Sequence, residues 1–179
     1  MKKFFLFIVI AFVAIGVNAQ KATYIVKLGG GVGGDDYAGT YANAGFEVNL
    51  PISATNWTFS PSLHGTLLSD EDGSDGQSAV YMPLAFGYKV SLGNRWIFRP
   101  TLGPMVGYAF ENSKKNEWID GGFIAGPVLG LNFEHTHFSV GLQAFSSFLK
   151  MTHHFDGYYY GSDFDFTYNG AYLTLGYKF

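Results

Sequence analysis

The sequence predicts an all-β fold, an eight-stranded antiparallel up-and-down transmembrane β-barrel that follows a cleaved signal peptide. Three observations carry this prediction. The N-terminal residues have the pattern of an export signal, the rest of the chain divides into eight segments of alternating apolar and polar residues, and the connections between segments are short and long in turn. The composition agrees, because glycine (24 residues) and aromatic residues (18%) are frequent while charged residues make up only 14%.

The N-terminus is organised as a secretory signal peptide. Two lysines open the chain, an apolar run follows from Phe4 to Val17, and small residues end at Ala19. This run is shorter than the roughly 20 residues that a membrane-spanning helix needs. We therefore predict a signal peptide at 1–19 and one barrel domain at 20–179. The chain has no cysteine, which excludes disulfides and thiolate metal sites.

Eight alternating segments make up the rest of the chain. In each, one parity is mostly apolar and the other is small or polar, as in strands that face lipid on one side and a lumen on the other. The predicted strands are Thr23 to Val32, Tyr41 to Ile52, Trp57 to Leu68, Ala79 to Leu92, Trp96 to Glu111, Gly122 to Glu134, Phe138 to Lys150 and Asp165 to Phe179. We expect bulges or register breaks at Pro61, Pro83, Pro100, Pro104 and Pro127, because proline has no N–H to donate.

The connections between these segments alternate in length. The short ones are Ser53 to Asn56, Gly93 to Asn94 and His135 to Thr136, and the long ones are Gly33 to Thr40, Ser69 to Gln77, Asn112 to Asp120 and Met151 to Asp163. Membrane barrels of bacteria have short periplasmic turns and long extracellular loops. The pattern therefore predicts that both termini lie in the periplasm.

Aromatic residues gather at both predicted membrane edges, as in the two girdles of a membrane barrel. The lower set is Tyr24, Trp57, Trp96, Phe133, Phe138, Tyr177 and Phe179, and the upper set is Tyr41, Tyr108, Phe110, Trp118 and Phe123. A general preference of strands for aromatics is the alternative, but it does not predict clustering at strand ends.

Six charged residues share the inward parity near the predicted periplasmic strand ends: Lys27, Glu47, Lys89, Arg99, Glu134 and Lys178. A charge held away from bulk water must be paired or solvated. We predict an ion-pair network that closes the lumen, with interior water or a bound anion because four cations face two carboxylates. The alternative is a charged constriction in a conducting pore.

The last segment ends in a pattern with a specific resemblance. Leu173, Leu175, Tyr177 and Phe179 share the outward parity, and a final strand that stops on an aromatic residue resembles the C-terminal insertion signal of bacterial outer-membrane barrels. This ending, the signal peptide, the eight segments and the polar inward face together make the sequence resemble the small OmpX and OmpA-type barrels. The resemblance covers essentially the whole mature chain.

The resemblance implies a place in the outer membrane of a Gram-negative cell. The partners it implies are membrane lipids and lipopolysaccharide and the barrel-assembly machinery. The roles it implies are envelope structure, adhesion or narrow passive permeability. A net charge of −3 gives no support for nucleic-acid binding, and no cofactor is expected.

The last long connection and its flanks are rich in aromatic residues: Phe155, Tyr158, Tyr159, Tyr160, Phe164 and Phe166. Exposed rings among short polar residues suit the binding of an extracellular protein or glycan. The alternative is that these rings belong to an extended upper girdle.

Two further classes of protein fit the sequence less well. His135, His137 and Ser139 resemble the His and Ser of lipid A-modifying barrels, but they lie at a predicted periplasmic turn, so we expect no catalytic site. We expect no metal site, because the adjacent His153 and His154 would point in different directions on an extended chain. A soluble lipocalin-type barrel would need an apolar inward face, and the parities suggest the reverse.

Overall fold

A computed structural model describes residues 22–33, 39–52, 55–69, 77–113, 117–155 and 164–179; the predicted signal peptide lies outside them. These residues form eleven strands: β1 (Thr23–Gly33), β2 (Gly39–Pro51), β3 (Trp57–Ser69), β4 (Gln77–Tyr88), β5 (Val90–Gly93), β6 (Trp96–Ala109), β7 (Asn112–Ser113), β8 (Glu117–Ile119), β9 (Gly122–Glu134), β10 (Phe138–Phe155) and β11 (Phe164–Lys178). Within the described part of the chain, no helix is long and apolar enough to cross a membrane.

Eight of these strands close into an antiparallel barrel. Strands β1, β2, β3, β4, β6, β9, β10 and β11 pair in that order, and β11 returns to pair with β1. Strand β5 continues β4 beyond a break at Lys89 and pairs with β6, while β7 and β8 form a small hairpin beside the upper end of β10. The predicted eight-stranded antiparallel barrel is confirmed.

Both ends of the barrel sequence meet at one rim, which we call the lower rim. The N–H of Phe179 donates to the carbonyl of Tyr24 at 2.9 Å. The short connections lie at this rim; in the two-residue loop between β5 and β6, Asn94 and Arg95 have φ of 49° and 66°, which matches the twist of a tight hairpin. The predicted grouping of the short connections with the two ends is therefore confirmed.

The predicted bulges or register breaks are wrong at Pro61, Pro83, Pro100 and Pro104, whereas at Pro127 the β9–β10 ladder ends. Pro100 and Pro104 lie in an unbroken ladder with β9. Beside Pro61 and Pro83 a few ladder pairs are skipped, but the same register resumes beyond them. The barrel wall therefore accommodates these prolines by omitting pairs locally, without moving one strand along its neighbour.

The register shift lies elsewhere, in the upper half of β10. The four steps from Ser146 to Lys150 match only two steps on β11, from Asn169 to Thr167. Two extra residues thus form a bulge, and β10 continues to Phe155 although the alternating pattern predicts an end at Lys150.

The outer face of the barrel is apolar and carries exposed aromatic rings near its ends. All seven residues of the predicted lower girdle are exposed at the lower rim. Tyr108, Phe110 and Phe123 are exposed toward the upper rim. Tyr41 does not belong to the upper girdle, because only 3% of it is exposed and it faces the interior. The side chain of Trp118 lies outside the described set.

Candidate functional site

Five of the six predicted interior charges form one chain of ion pairs across the lower interior. We call Lys27, Glu47, Arg99, Glu134 and Lys178 the charge layer. Lys27 Nζ lies 2.6 Å from Glu47 Oε2, and Arg99 Nη2 lies 2.5 Å from Glu47 Oε1. Arg99 Nε lies 2.5 Å from Glu134 Oε1, and Lys178 Nζ lies 2.8 Å from Glu134 Oε2. Cations and carboxylates therefore alternate from one end of the layer to the other.

Arg99 is the centre of the charge layer. Its side chain is completely buried, and its Nη1 donates a hydrogen bond to Ser60 Oγ at 2.9 Å in addition to the two carboxylate contacts. Asn132 ties the layer to the wall, since its Nδ2 donates to the Arg99 carbonyl at 3.2 Å and its Oδ1 accepts from Lys27 at 3.2 Å. A planar guanidinium suits this position, because it presents several donors in fixed directions.

Lys89, the sixth predicted charge, is not brought into the charge layer. It is half-buried at the lower rim, in the break between β4 and β5, and its backbone N–H donates to the carbonyl of Asn56 at 2.9 Å. Among the described residues its ammonium forms no salt bridge. The charge layer itself therefore holds three cations and two carboxylates, and Lys89 adds a further positive charge near the rim.

Two buried polar side chains on β2 and β3 have unpartnered atoms. Within the described residues, both amide atoms of Asn49 and the hydroxyl of Thr58 lack a hydrogen-bond partner. Both face the lower interior; Thr58 is two residues from Ser60 along β3. Such atoms are commonly satisfied by buried water. The interior water or anion remains a prediction, and the space beside Asn49 and Thr58 is the candidate site for it.

Above the charge layer, the interior is apolar and aromatic. We call this part the aromatic layer; it contains Tyr41, Ala79, Tyr81, Met105, Ala109, Ile124, Val128, Phe145, Met151, Tyr168 and Tyr172. The tyrosine hydroxyls are paired, with Tyr81 and Tyr172 joined at 2.6 Å and Tyr168 joined to Thr66 at 2.6 Å. The predicted polar interior thus holds for the lower part of the barrel, while the upper part is mainly aromatic and apolar with a few buried polar residues such as Thr66 and Gln77.

His64 lies between the two layers. Its Nδ1 is 3.1 Å from Asn43 Oδ1, its Nε2 is 3.1 Å from Ser62 Oγ, and its ring stacks on Tyr81 with 5.2 Å between centroids. The neighbouring strand β2 carries Gly45 beside His64, and a Cβ at Gly45 would lie 2.5 Å from His64 Nδ1. A glycine on the inward face therefore makes room for a ring from the neighbouring strand.

The four residues of the predicted insertion signal are placed as expected. Leu173, Leu175, Tyr177 and Phe179 are exposed on the outer side of the barrel at and beyond β11. The ring of Tyr177 contacts those of Phe138 and Phe179, with centroids 5.7 Å and 5.0 Å apart. Their role in insertion remains a prediction.

The predicted surface-binding residues are only partly within the described chain. Phe155 ends β10, and Phe164 and Phe166 lie at the beginning of β11, both toward the upper rim. Tyr158, Tyr159 and Tyr160 lie outside the described residues. Within the described ranges, no three His, Asp or Glu side chains lie together in a way that could hold a metal ion.

A closed eight-stranded barrel, apolar outside and charged or aromatic inside, has the fold of the small outer-membrane β-barrels. No protein-family model and no curated protein matches the sequence. The fold is similar to that of a major outer membrane protein from Thermus thermophilus, with a TM-score of 0.53 and 14% identity over 89% of this chain and 100% of that one. It is also similar to the outer membrane protein OprG from Pseudomonas aeruginosa, with a TM-score of 0.51 and 12% identity over 88% and 95% of the two chains.

Proposed function

We propose that this chain is an integral protein of the bacterial outer membrane, with its lower rim in the periplasm and its lumen closed along the barrel axis. The observation that carries this proposal is the charge layer, in which the buried Arg99 bridges Glu47 and Glu134. The apolar outer face and its exposed aromatic rings support a lipid environment. A closed barrel of this kind serves envelope structure and surface contact and carries out no transport along its axis.

The charge layer opposes axial passage for a physical reason. An ion that crossed it would have to separate buried charges from their partners, and an unpaired buried charge is costly. The strands around the charge layer face lipid, so separated charges could not reach water through the barrel wall. Above the layer, the rings of Tyr41, Phe145 and Tyr168 pack with centroids 5.6 to 5.9 Å apart. The charge layer is thus the barrier to ions, and these packed rings narrow the interior above it.

Conductance of the refolded protein in a planar bilayer tests the closed lumen. The intact protein is expected to be silent, and Arg99→Ala is expected to leak because it leaves Glu47 and Glu134 without their shared partner. Lys89→Ala is the matched control, since it removes a lower-rim cation outside the charge layer. Steady conductance of the intact protein would overturn the proposal.

A narrow anion-preferring channel is the second candidate. The observation in its favour is the excess of positive charge, because three cations of the charge layer and Lys89 face only two carboxylates. A channel of this kind would conduct in the intact protein and favour chloride over potassium. Lys89→Ala would then lower that preference, whereas it leaves a closed barrel silent.

Surface contact through the upper loops is the proposed role outside the membrane. The predicted binding residues flank or fill the connection 156–163, which joins the upper ends of β10 and β11. Deleting 156–163 is expected to lower the attachment of expressing cells to surfaces coated with extracellular protein or glycan severalfold. Deleting the similarly placed 71–75 is the control. Normal attachment by the first variant, with the barrel folded, argues against this role.

We propose no enzymatic role. The ring of His137 stacks on Tyr177 on the outer side of the wall, at 6.3 Å between centroids, whereas Ser139 is buried inside. His137 and Ser139, two of the three residues that resemble a lipid A-modifying site, thus lie on opposite sides of the wall. The mass spectrum of lipid A is expected to be the same with and without the protein, and a new lipid A species would contradict this.

A further inference from the structure

Strands β9 and β10 are joined only in their lower halves. Their ladder runs from the pair Ser139 and Glu134 up to the pair Phe145 and Val128 and ends there, after seven pairs. On its other side β9 pairs with β6 through thirteen consecutive positions, up to Gly122. Residues Gly122–Pro127 of β9 therefore have ladder partners on one side only. We call this unjoined stretch, with Ser146–Thr152 of β10 opposite, the seam.

The sequence explains why the ladder ends at this point. Pro127, the next residue up β9, has no N–H to donate. On β10 the bulge begins at the same height, and Ser147, Phe148 and Leu149 have no ladder partner on either neighbouring strand.

Two kinds of hydrogen bond span the seam. The Ser147 hydroxyl accepts from the N–H of Ala125 on β9 at 3.4 Å, and within β10 it also accepts from the N–H of Leu149 at 3.1 Å. At the top, the N–H of Asp120 donates to the carbonyl of Thr152 at 3.1 Å. The seam is therefore bounded above by this hydrogen bond and below by the ladder.

Apolar side chains line both sides of the seam, together with the buried Ser147 and the exposed Lys150 of β10. Behind it lie Ile124 and Met151, which are buried members of the aromatic layer. On its outer side Phe123 is 73% and Phe148 is 75% exposed. A backbone group left unpaired in lipid costs several kcal/mol, so an interrupted ladder at membrane depth is a marked departure from the rest of this wall. It also lies where an apolar compartment and the lipid are separated by the fewest backbone hydrogen bonds.

We propose that the seam is a lateral opening through which a small, uncharged, apolar molecule passes between the lipid and the aromatic layer. Opening it requires movement of the β10 bulge and loss of the weak Ser147 contacts, whereas opening the β6–β9 wall would break a continuous ladder. The route lies above the charge layer. It therefore goes beyond the proposed closed lumen and is compatible with it.

Cysteine labelling from the lipid phase tests the opening, because the chain has no cysteine of its own. Ile124→Cys places a thiol behind the seam. Ala79→Cys places one in the same layer behind β4, which is joined by ladder pairs to both its neighbours at that position. The probe is N-(1-pyrenyl)maleimide dissolved in phosphatidylcholine vesicles that contain the refolded protein. We expect labelling of Ile124→Cys to be at least tenfold faster, and equal rates would overturn the proposal.

Two further variants of the Ile124→Cys chain separate the seam from other routes. Deleting Phe148 and Leu149 removes the two extra residues of the bulge and is expected to slow labelling to the Ala79→Cys rate. Ser147→Ala removes the hydroxyl bridge and is expected to accelerate it. Migration of unheated samples on gels verifies that each barrel is folded. A rate that neither variant changes, or faster labelling by a charged maleimide in the water phase, would overturn entry through the seam.

Discussion

Arg99 and Glu47 are 52 positions apart in the chain, yet Nη2 of the arginine lies 2.5 Å from Oε1 of the glutamate. Arg99 belongs to β6 and Glu47 to β2, and β3 and β4 lie between these strands in the barrel. The contact therefore reaches across the lumen and exists only when the barrel is closed. Pairing of the buried charges and closure of the barrel thus depend on each other.

The first prediction concerns the stability of the charge layer. Arg99→Ala leaves Glu47 with only Lys27 and Glu134 with only Lys178, and it also removes the partner of Ser60. Breaking a buried network by removal of one partner costs about 3–5 kcal/mol. Unfolding by urea in lipid vesicles, followed by tryptophan fluorescence, measures the loss.

Lys89→Ala is the matched control for Arg99→Ala. Both remove one inward-facing cation from the lower part of the barrel, but Lys89 is only half-buried and forms no salt bridge within the described chain. We expect its free energy of unfolding to change by less than about 1 kcal/mol. Equal losses from the two substitutions would show that position in the charge layer does not set the stability.

A second prediction concerns the hydroxyl pair of the aromatic layer. Tyr81→Phe leaves the hydroxyl of Tyr172 without its 2.6 Å partner, and the Asn43 amide loses an acceptor at 3.4 Å. The cost of leaving a buried polar group unpaired is about 1–3 kcal/mol. The double variant Tyr81→Phe, Tyr172→Phe removes both hydroxyls of the pair.

The double variant is expected to be less destabilised than the sum of the two single variants, because no hydroxyl of the pair is then left alone. A double-mutant cycle from urea unfolding measures this coupling. Strictly additive losses would mean that the two hydroxyls do not depend on each other, and the close contact would then contribute nothing specific to stability.

The sequence was sufficient to predict the strands and the inward-facing charges. It was insufficient to predict where single residues depart from these patterns. Side chains of a strand alternate between its two faces, so a wall with lipid outside and a lumen inside gives a clear alternation of apolar and polar residues. The bounds of the strand Gly122–Glu134 are therefore predicted to the residue. The charges of Lys27, Glu47 and Arg99 share the inward parity at similar heights, which is why they meet. Lys89 stays outside the charge layer because of its distance from the other charges beyond the break in β4. The alternating pattern contains no information about such distances.

The aromatic layer was harder to predict because it depends on pairs of residues from different strands. Tyr41 can point inward because Gly33 and Gly170 leave room for its ring; a Cβ at these positions would lie 2.0 Å and 2.9 Å from the ring. A single sequence does not show which glycine faces which ring. The bulge was hidden for a related reason, since Phe148 and Leu149 are apolar neighbours that only interrupt an alternation.

The third prediction concerns the C-terminal residue. Phe179 is exposed beyond β11, contacts Tyr177 and donates its N–H to Tyr24, so its ring adds little to the packed interior. If it belongs to an insertion signal, Phe179→Ala lowers the amount of folded protein in the outer membrane severalfold while the free energy of unfolding of the purified protein stays within about 0.5 kcal/mol.

Phe138→Ala is the control for Phe179→Ala, because Phe138 is an exposed ring at the same rim that also contacts Tyr177. Folded protein in membrane fractions, scored by its faster migration when unheated, is the measurement. A similar loss from both substitutions would assign the effect to the lower girdle in general and contradict a terminal signal.

The last prediction separates inward from outward glycines on neighbouring strands. Gly45→Ala would place a Cβ 2.5 Å from Nδ1 of His64, whose ring is held by hydrogen bonds to Asn43 and Ser62 and by stacking on Tyr81. Because the ring is fixed on three sides, it cannot move away without breaking those contacts. Forcing an extra methyl into such a site costs about 1–3 kcal/mol.

Gly65→Ala is the matched control, one residue from His64 on the other face of β3. A Cβ at Gly65 meets nothing within 4 Å, so the methyl enters open space on the outer side. Since alanine also loses less backbone entropy than glycine, this variant is expected to be neutral or slightly stabilised. Urea unfolding of the two variants measures the difference, and a Gly45→Ala protein as stable as Gly65→Ala would show that the His64 ring is not held in place.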